Sequence, residues 1–261
     1  MATTAVTTYD PTGAQRPGKI LAVHLNYPSR IAQRGRSPEA PSFFLKPSTS
    51  ASASGTPVER PLGTELLAFE AEVALVIGTL AKNVTLEDAW DHVTGVTASN
   101  DLGVYDLRLI DKGSNVRSKG GDGFTPLGPG LIDARSIDPA ALRVRCWVDG
   151  ELVQDDTTAG LVFPFAQLIA DVSQLLTLEP GDVILTGTPA GSSVVAPGQV
   201  IEIEVDAPGA EGAPSSGRLV TPVVEGTVRV GLYGAGPAVD DLQREEAWGS
   251  RAAAGLPEKT K

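Results

Sequence analysis

Hydrophobic residues in this chain fall in short alternating or continuous runs bounded by Gly, Pro and Asp, a pattern of strands rather than of long helices. The run LLAFEAEVALVIG, residues 66–78, predicts a strand covered on both faces, yet Glu70 and Glu72 interrupt its start. Strand side chains alternate, so both carboxylates share a face with Ala74 and Val76, opposite Val73, Leu75 and Ile77. GKILAVHLNY, FFLKP, VILTGTPAG, QVIEIEVD and LVTPVVEGTVRVG predict further strands, with Ile201, Ile203 and Val205 on one side of theirs. LRVRCWVDGELVQ alternates about Asp149-Gly150, a strong signal for a two-residue hairpin turn. Helical spacing appears in FPFAQLIADVSQLL, where Phe165, Leu168, Ile169, Val172, Leu175 and Leu176 share a face and Pro180-Gly181 ends the element. Thr85, three residues before Asp88, gives NVTLEDAWDHV a capping-box-like start, and the short helix predicted there leads to Asp101 in a loop. Strands dominate without βαβ alternation, which predicts an α+β, β-rich class.

Residues 1–17 are polar and residues 236–261 lack an extended core pattern, so the predicted division is an amino-terminal arm, a body over 18–235 and a carboxy-terminal tail. With 261 residues and 41% hydrophobic content, the body can bury a substantial core. The formal charge of −11, with no Lys/Arg-rich block, argues against nucleic acid and anionic membranes as partners. The single cysteine, Cys146, excludes an internal disulfide and reads as a small buried hydrophobe. With neither a signal sequence nor a membrane span in the pattern, the expectation is a cytoplasmic protein.

Glu70 and Glu72, about 7 Å apart along a strand, are open to two readings: a solvated face, or a pair of ligands to a cation. A hard cation such as Mg²⁺ takes carboxylate oxygens and keeps waters, and Asp101 in TASNDLG would supply a third ligand. RSKGGDGFTPLGP places Arg117 and Lys119 in a glycine-rich loop, where a desolvated lysine could exchange protons. LTGTPAG ends a strand in a tight turn carrying Thr188.

FFLKP, FEAEVALVIG, ASND, SKGGDGFTPLGP and EPGDVILTGTPAG, in this order between Gly18 and Val230, resemble the fumarylacetoacetate hydrolase family. The resemblance implies that family's mixed β-sandwich roll with few short helices, a homodimer, and Mg²⁺ or Mn²⁺ held by Glu70, Glu72 and Asp101. It also implies an acid/base role for Lys119 and a substrate-carboxylate site at Thr188 with its neighbouring amides, Gly187 included, beside Tyr27 of the NY motif. Family chemistry holds a 2-oxo acid on the metal so that electrons from a breaking or shifting bond flow into an enolate, which serves hydrolysis, decarboxylation and isomerisation alike.

Two departures choose among these. Hydrolytic members carry a His and, three residues on, a Glu after the NY motif; here NYPSRIAQ puts Arg30 and Gln33 there, neither of which is a base at neutral pH. His24 remains as a reserve base. Many relatives have Gln where this chain has Arg108; an arginine suits a second carboxylate, and Arg30 or Arg117 could serve likewise, although surface pairing with an acidic neighbour explains such arginines equally. The wording HLNYPSR and DGFTPLGP is similar to the isomerase/decarboxylase branch of homoprotocatechuate (4-hydroxyphenylacetate) breakdown. The implied activity is therefore isomerisation and/or decarboxylation of an unsaturated 2-oxo (2-hydroxy-diene) dicarboxylate. A hydrolase of acylpyruvate or fumarylacetoacetate type, an oxaloacetate decarboxylase, and a catalytically silent metal-binding protein are the alternatives. Residues 28–42 could form a flap over the site or a plain loop.

Overall fold

The computed structural model describes residues 5–258. In chain order the strands are β1 (Val6–Thr8), β2 (Ile20–Val23), β3 (Phe43–Lys46), β4 (Ala51–Ala53), β5 (Val58–Leu62), β6 (Leu67–Ala68), β7 (Ala71–Ile77), β8 (Val93–Asn100), β9 (Gly103–Val104), β10 (Thr125–Leu127), β11 (Gly130–Asp133), β12 (Arg143–Val148), β13 (Glu151–Thr157), β14 (Val183–Leu185), β15 (Val200–Asp206) and β16 (Leu219–Arg229). The helices are α1 (Pro28–Arg34), α2 (Arg108–Asp111), α3 (Val116–Lys119), α4 (Phe165–Leu175) and α5 (Asp241–Trp248).

The main sheet runs β1-β11-β8-β7-β14-β2-β3, with β10 pairing both β8 and β4. A short turn over Ser48–Ser50 joins β3 to β4, so the sheet curls back on itself as a roll. A second sheet, β13-β12-β15-β16-β5, packs across it. Between them lies the larger core: Val73, Leu75 and Ile77 of β7 meet Val144 and Cys146 of β12, Ile201, Ile203 and Val205 of β15, and Leu168, Ile169 and Val172 of α4. Ala74 and Val76, on the other face of β7, join Ile20, Ala22, Phe44, Leu127, Val183 and Leu185 inside the roll. The alternation read along residues 72–77 is thus the division between two apolar clusters. The β12–β13 hairpin forms as predicted, Val148 facing Glu151 and both turn residues, Asp149 and Gly150, at positive φ.

Several expectations are corrected. The run 66–78 is two strands, because Glu70 gives its N–H to the Asn100 side chain, 3.0 Å away, instead of to a ladder partner. Thr85 and Asp88 do exchange hydrogen bonds, 2.8 and 3.2 Å, but the turn they start is only a 3₁₀ piece over Ala89–His92. The TGVTASN segment that follows is strand β8, so Asp101 leaves a strand end and not a helix end. At the end of α4, Leu175 and the capping Leu176 are 86% and 37% exposed. Residues 28–34 are a capped helix rather than a loop. Neither terminus is simply a surface arm: β1 pairs with β11 and Tyr9 is buried, while α5 sets Ala247 and Trp248 against Leu66, Ala68 and Tyr105.

Candidate active site

The site forms where the roll's inner face changes from apolar to polar. Ala22 is followed two residues on by His24, Leu185 by Gly187, and Ala74 is preceded by Glu72, so three neighbouring strands turn polar at one level. Asp101 enters from the adjoining end of β8, its backbone N–H donating to the Glu70 carbonyl at 2.9 Å. Oxygens of Glu70, Glu72 and Asp101 lie within 4.8 Å of one another, and all three residues are buried. At that separation two like charges repel by roughly 3 kcal/mol even at an effective dielectric constant of ~20, so the cluster requires cations.

Three side chains supply them. Lys119 Nζ, carried by the end of α3, bridges Glu70 Oε2 and Asp101 Oδ2, the latter at 2.7 Å, and also donates to the Asp101 carbonyl at 2.9 Å. Lys46 reaches from β3 to Asp101 Oδ1 and donates to the Phe124 carbonyl at 2.8 Å. Arg30 Nη2 stands 3.3 Å from Glu70 Oε1, which also accepts the Tyr105 hydroxyl at 2.9 Å. Burial alone would raise the Glu70 pKa, but Lys119 and Arg30 outweigh it and hold the group below the usual carboxylate range. Glu72 goes the other way: burial first, then Asp101 and Glu70, push it well above that range. Lys119 is lowered by burial, yet Asp101 and Glu70 together keep it raised, so its Nζ stands as an ammonium; Lys46, fully buried, is lowered.

A metal fits this donor set. Three buried carboxylates offer hard oxygens to a magnesium- or manganese-like ion, and the Lys119 ammonium already places positive charge between two of them. Glu72, charge-repelled by its neighbours, has no such ammonium against it and accepts the Gly187 N–H at 2.7 Å.

The cavity beside the cluster is lined by His24, Arg30, Arg34, Arg36, Glu70, Glu72, Asp101, Tyr105, Arg108, Asn115, Lys119 and Thr188 among others. Of the residues singled out from sequence, it therefore gathers Glu70, Glu72, Asp101, Lys119, Thr188, Arg30 and Arg108. Gln154 Nε2 donates to Thr188 Oγ1 at 3.0 Å, which leaves the hydroxyl hydrogen free to donate in turn. Gly187, at φ 95°, commits its amide to Glu72, and a Cβ there would come within 2.9 Å of Asn26. Tyr27 is a core residue with its hydroxyl unpaired, and Arg117 lines a different groove with Leu232 and Tyr233.

Arg30 and Gln33 do form a pair, Nη1 to Oε1 at 2.6 Å, but it carries no base and its guanidinium is turned to Glu70. His24 gives Nδ1–H to the Ser42 carbonyl at 3.1 Å and accepts Asn115 Nδ2 on Nε2 at 3.1 Å, a neutral ring with both nitrogens engaged. Burial, with Lys119 and Arg108 nearby, lowers its pKa. His92 bonds Thr79 at 3.0 Å, away from the cavity.

Lys46, Tyr105, Asn115, Gln154, Arg34 and Arg36 were not anticipated as site residues. Lys46 had a signal, since it is the only charge in FFLKP and shares a strand face with Phe44. Gln154 had little, because its importance comes from β13 packing over Ala71 N, 3.1 Å from its Oε1. Asn26 fixes the turn into α1 by bonding the Phe163 and Thr186 carbonyls at 3.1 and 2.9 Å.

Known proteins bear on this geometry. An Escherichia coli protein named 4-hydroxyphenylacetate degradation bifunctional isomerase/decarboxylase is 39% identical over 201 residues, 76% of this chain and 47% of that protein. The chain thus spans about half the length of this relative. The solved structure of 5-carboxymethyl-2-hydroxymuconate delta-isomerase from Mycobacterium smegmatis superposes with a TM-score of 0.72 at 34% identity, covering 81% of this chain and 78% of that one. Maleylpyruvate hydrolase from Sphingobium sp. SYK-6, solved with manganese(II) and pyruvate, gives a TM-score of 0.66 at 34% identity, covering 82% and 72%. Residues 19–224 match the family described as fumarylacetoacetate (FAA) hydrolase C-terminal, and the chain belongs to that family.

Proposed function

We propose that this protein is a divalent-metal-dependent isomerase and/or decarboxylase of an unsaturated 2-oxo dicarboxylate from aromatic catabolism. The observation that carries the reading is one cavity lined both by the acid cluster with Lys119 and by Arg34, Arg36 and Arg108. Charge points the same way. Lys46, Lys119 and Arg30 pair with Glu70 and Asp101 and leave Glu72 for a cation. Arg36 and Arg108 add positive charge to the same cavity, which suits a substrate with a second carboxylate. The named activities of the Escherichia coli and Mycobacterium smegmatis relatives support this class of chemistry.

Glu70, Glu72 and Asp101 would hold Mg²⁺ or Mn²⁺, which when bound would supply Lewis acidity for the 2-oxo acid. Lys119 Nζ, paired with Glu70 and Asp101 at the edge of the cavity, would shuttle the proton to or from carbon. Thr188 Oγ1 directs its hydrogen to the substrate carboxylate, fixed in that orientation by Gln154. Arg108 offers its remaining N–H groups to the distal carboxylate.

The hydrolase reading keeps one supporting observation, the likeness to maleylpyruvate hydrolase. Against it stand Arg30 and Gln33, which fill the water-activating positions without a base, and His24, whose Nε2 lone pair is taken by Asn115. Purified protein with Mg²⁺ and 2-hydroxyhepta-2,4-diene-1,7-dioate is expected to change the diene ultraviolet band faster than Mg²⁺ alone, giving one acid product, and chelation is expected to stop it. No acceleration contradicts the proposal, and two acid products per turnover establish the hydrolase instead.

A further inference from the structure

The family match ends at residue 224, yet α5, residues 241–248, reaches the cavity mouth. Asp240 caps its start by accepting Gln243 N–H at 2.9 Å, and Ala247 and Trp248 anchor it on Leu66 and Tyr105. From this docked helix Glu246 Oε2 accepts Arg108 Nη1 at 2.5 Å, and Glu246 Oε1 lies 3.8 Å from Arg36 Nη2. Arg108 is at the same time stacked on the Tyr105 ring, 4.6 Å from its centroid. Glu246 is not among the cavity-lining residues; both arginines are, and both also line the adjoining outer pocket with His24, Ser42 and Asn115. The helix ends at Gly249, φ 82°, packed so closely on Gln33 that a Cβ would fall 2.5 Å from its Nε2, and Gln33 in turn holds Arg30.

We infer that α5 is a working part of the substrate site: Glu246 is a positioning residue that holds Arg108, with Arg36 beside it, as the receptor for a substrate's second carboxylate. The inference rests on the two-carboxylate reading above and adds what selects that substrate. A free arginine at a solvent-facing mouth samples many rotamers and gives up entropy when it binds. Arg108, fixed on one side by a carboxylate and on its face by Tyr105, is already oriented, and its unused N–H groups remain for a ligand. A helix outside the matched region would thereby set substrate choice without touching the acid cluster.

The test is calorimetric binding, in Mg²⁺ buffer, of two probes that differ only at the far end: 2-oxoheptanedioate and 2-oxoheptanoate. The wild-type protein is expected to prefer the dicarboxylate. Glu246→Ala is expected to weaken dicarboxylate binding about tenfold and to leave 2-oxoheptanoate within twofold, which also shows that the variant is folded. Glu246→Gln, which keeps an acceptor oxygen, should fall between. Equal weakening of both probes makes Glu246 a scaffold residue and overturns the inference, as does no change, or tighter dicarboxylate binding, which would mean that Glu246 competes with substrate. Equal affinity of the wild-type protein for both probes overturns the two-carboxylate reading itself, and this inference with it.

Discussion

The two ends of the cavity are built from the same currency, buried or half-buried ion pairs, but in opposite sense. At the floor, Lys46, Lys119 and Arg30 pair with Glu70 and Asp101, while Glu72 has no ammonium or guanidinium paired with it among the described residues. At the mouth, Arg36 and Arg108 share the carboxylate of Glu246 on α5, and Arg34 Nη2 stands 3.4 Å from the Tyr105 hydroxyl. The floor keeps a carboxylate, Glu72, for one more cation; the mouth is a site with arginine donors left over. Under the proposed function, that difference separates chemistry from selection within one small cavity.

Variants can break that division. The largest effect belongs to the floor: Asp101→Asn or Glu72→Gln should lower turnover by at least ~10²-fold and remove tight metal binding, read by kinetics and calorimetry together. Lys119→Ala should lower kcat by about 10²–10⁴-fold while divalent-ion binding persists, which assigns the lysine to proton transfer rather than to holding the metal. Arg108→Gln should act on KM instead, raising it about tenfold for a two-carboxylate substrate with kcat within a few-fold. If Arg108→Gln reduced kcat as much as Lys119→Ala did, the two ends would not be separable.

The smallest effect has the opposite sign. Glu72 is disfavoured as a charge by burial and by Asp101 and Glu70, so Glu72→Gln should raise the metal-free melting temperature, by ~2–4 °C for each kcal/mol relieved in a domain of this size. Scanning calorimetry in chelator checks this; a destabilised variant would mean that Glu72 is held by favourable contacts instead of waiting for a cation.

How far the sequence disclosed this follows from how local each signal is. Period-two alternation in residues 72–77 assigned Glu72 to the face of Ala74 and Val76, and the structure places the acid cluster where that face ends. Asp149-Gly150 likewise specified its hairpin within four residues. Lys46 lies 55 residues from the Asp101 it neutralises, and only the pairing of β2 with β3 and of β10 with β4 brings the two together. Glu246 and Arg108 are 138 residues apart, and α5 carries too few apolar residues to announce itself as docked. Arg30 shows the limit of a two-way reading: it does pair with an acid, as a surface arginine would, but that acid is Glu70, in the site.

The most direct test of the central claim is titration of Mn²⁺ into the chelator-treated protein at neutral pH, followed by calorimetry. One ion is expected to bind per chain, and the Glu72→Gln Asp101→Asn double variant should lose that site while keeping the wild-type circular dichroism spectrum. Absence of binding to the wild-type protein, or equal binding to the double variant, would contradict the account.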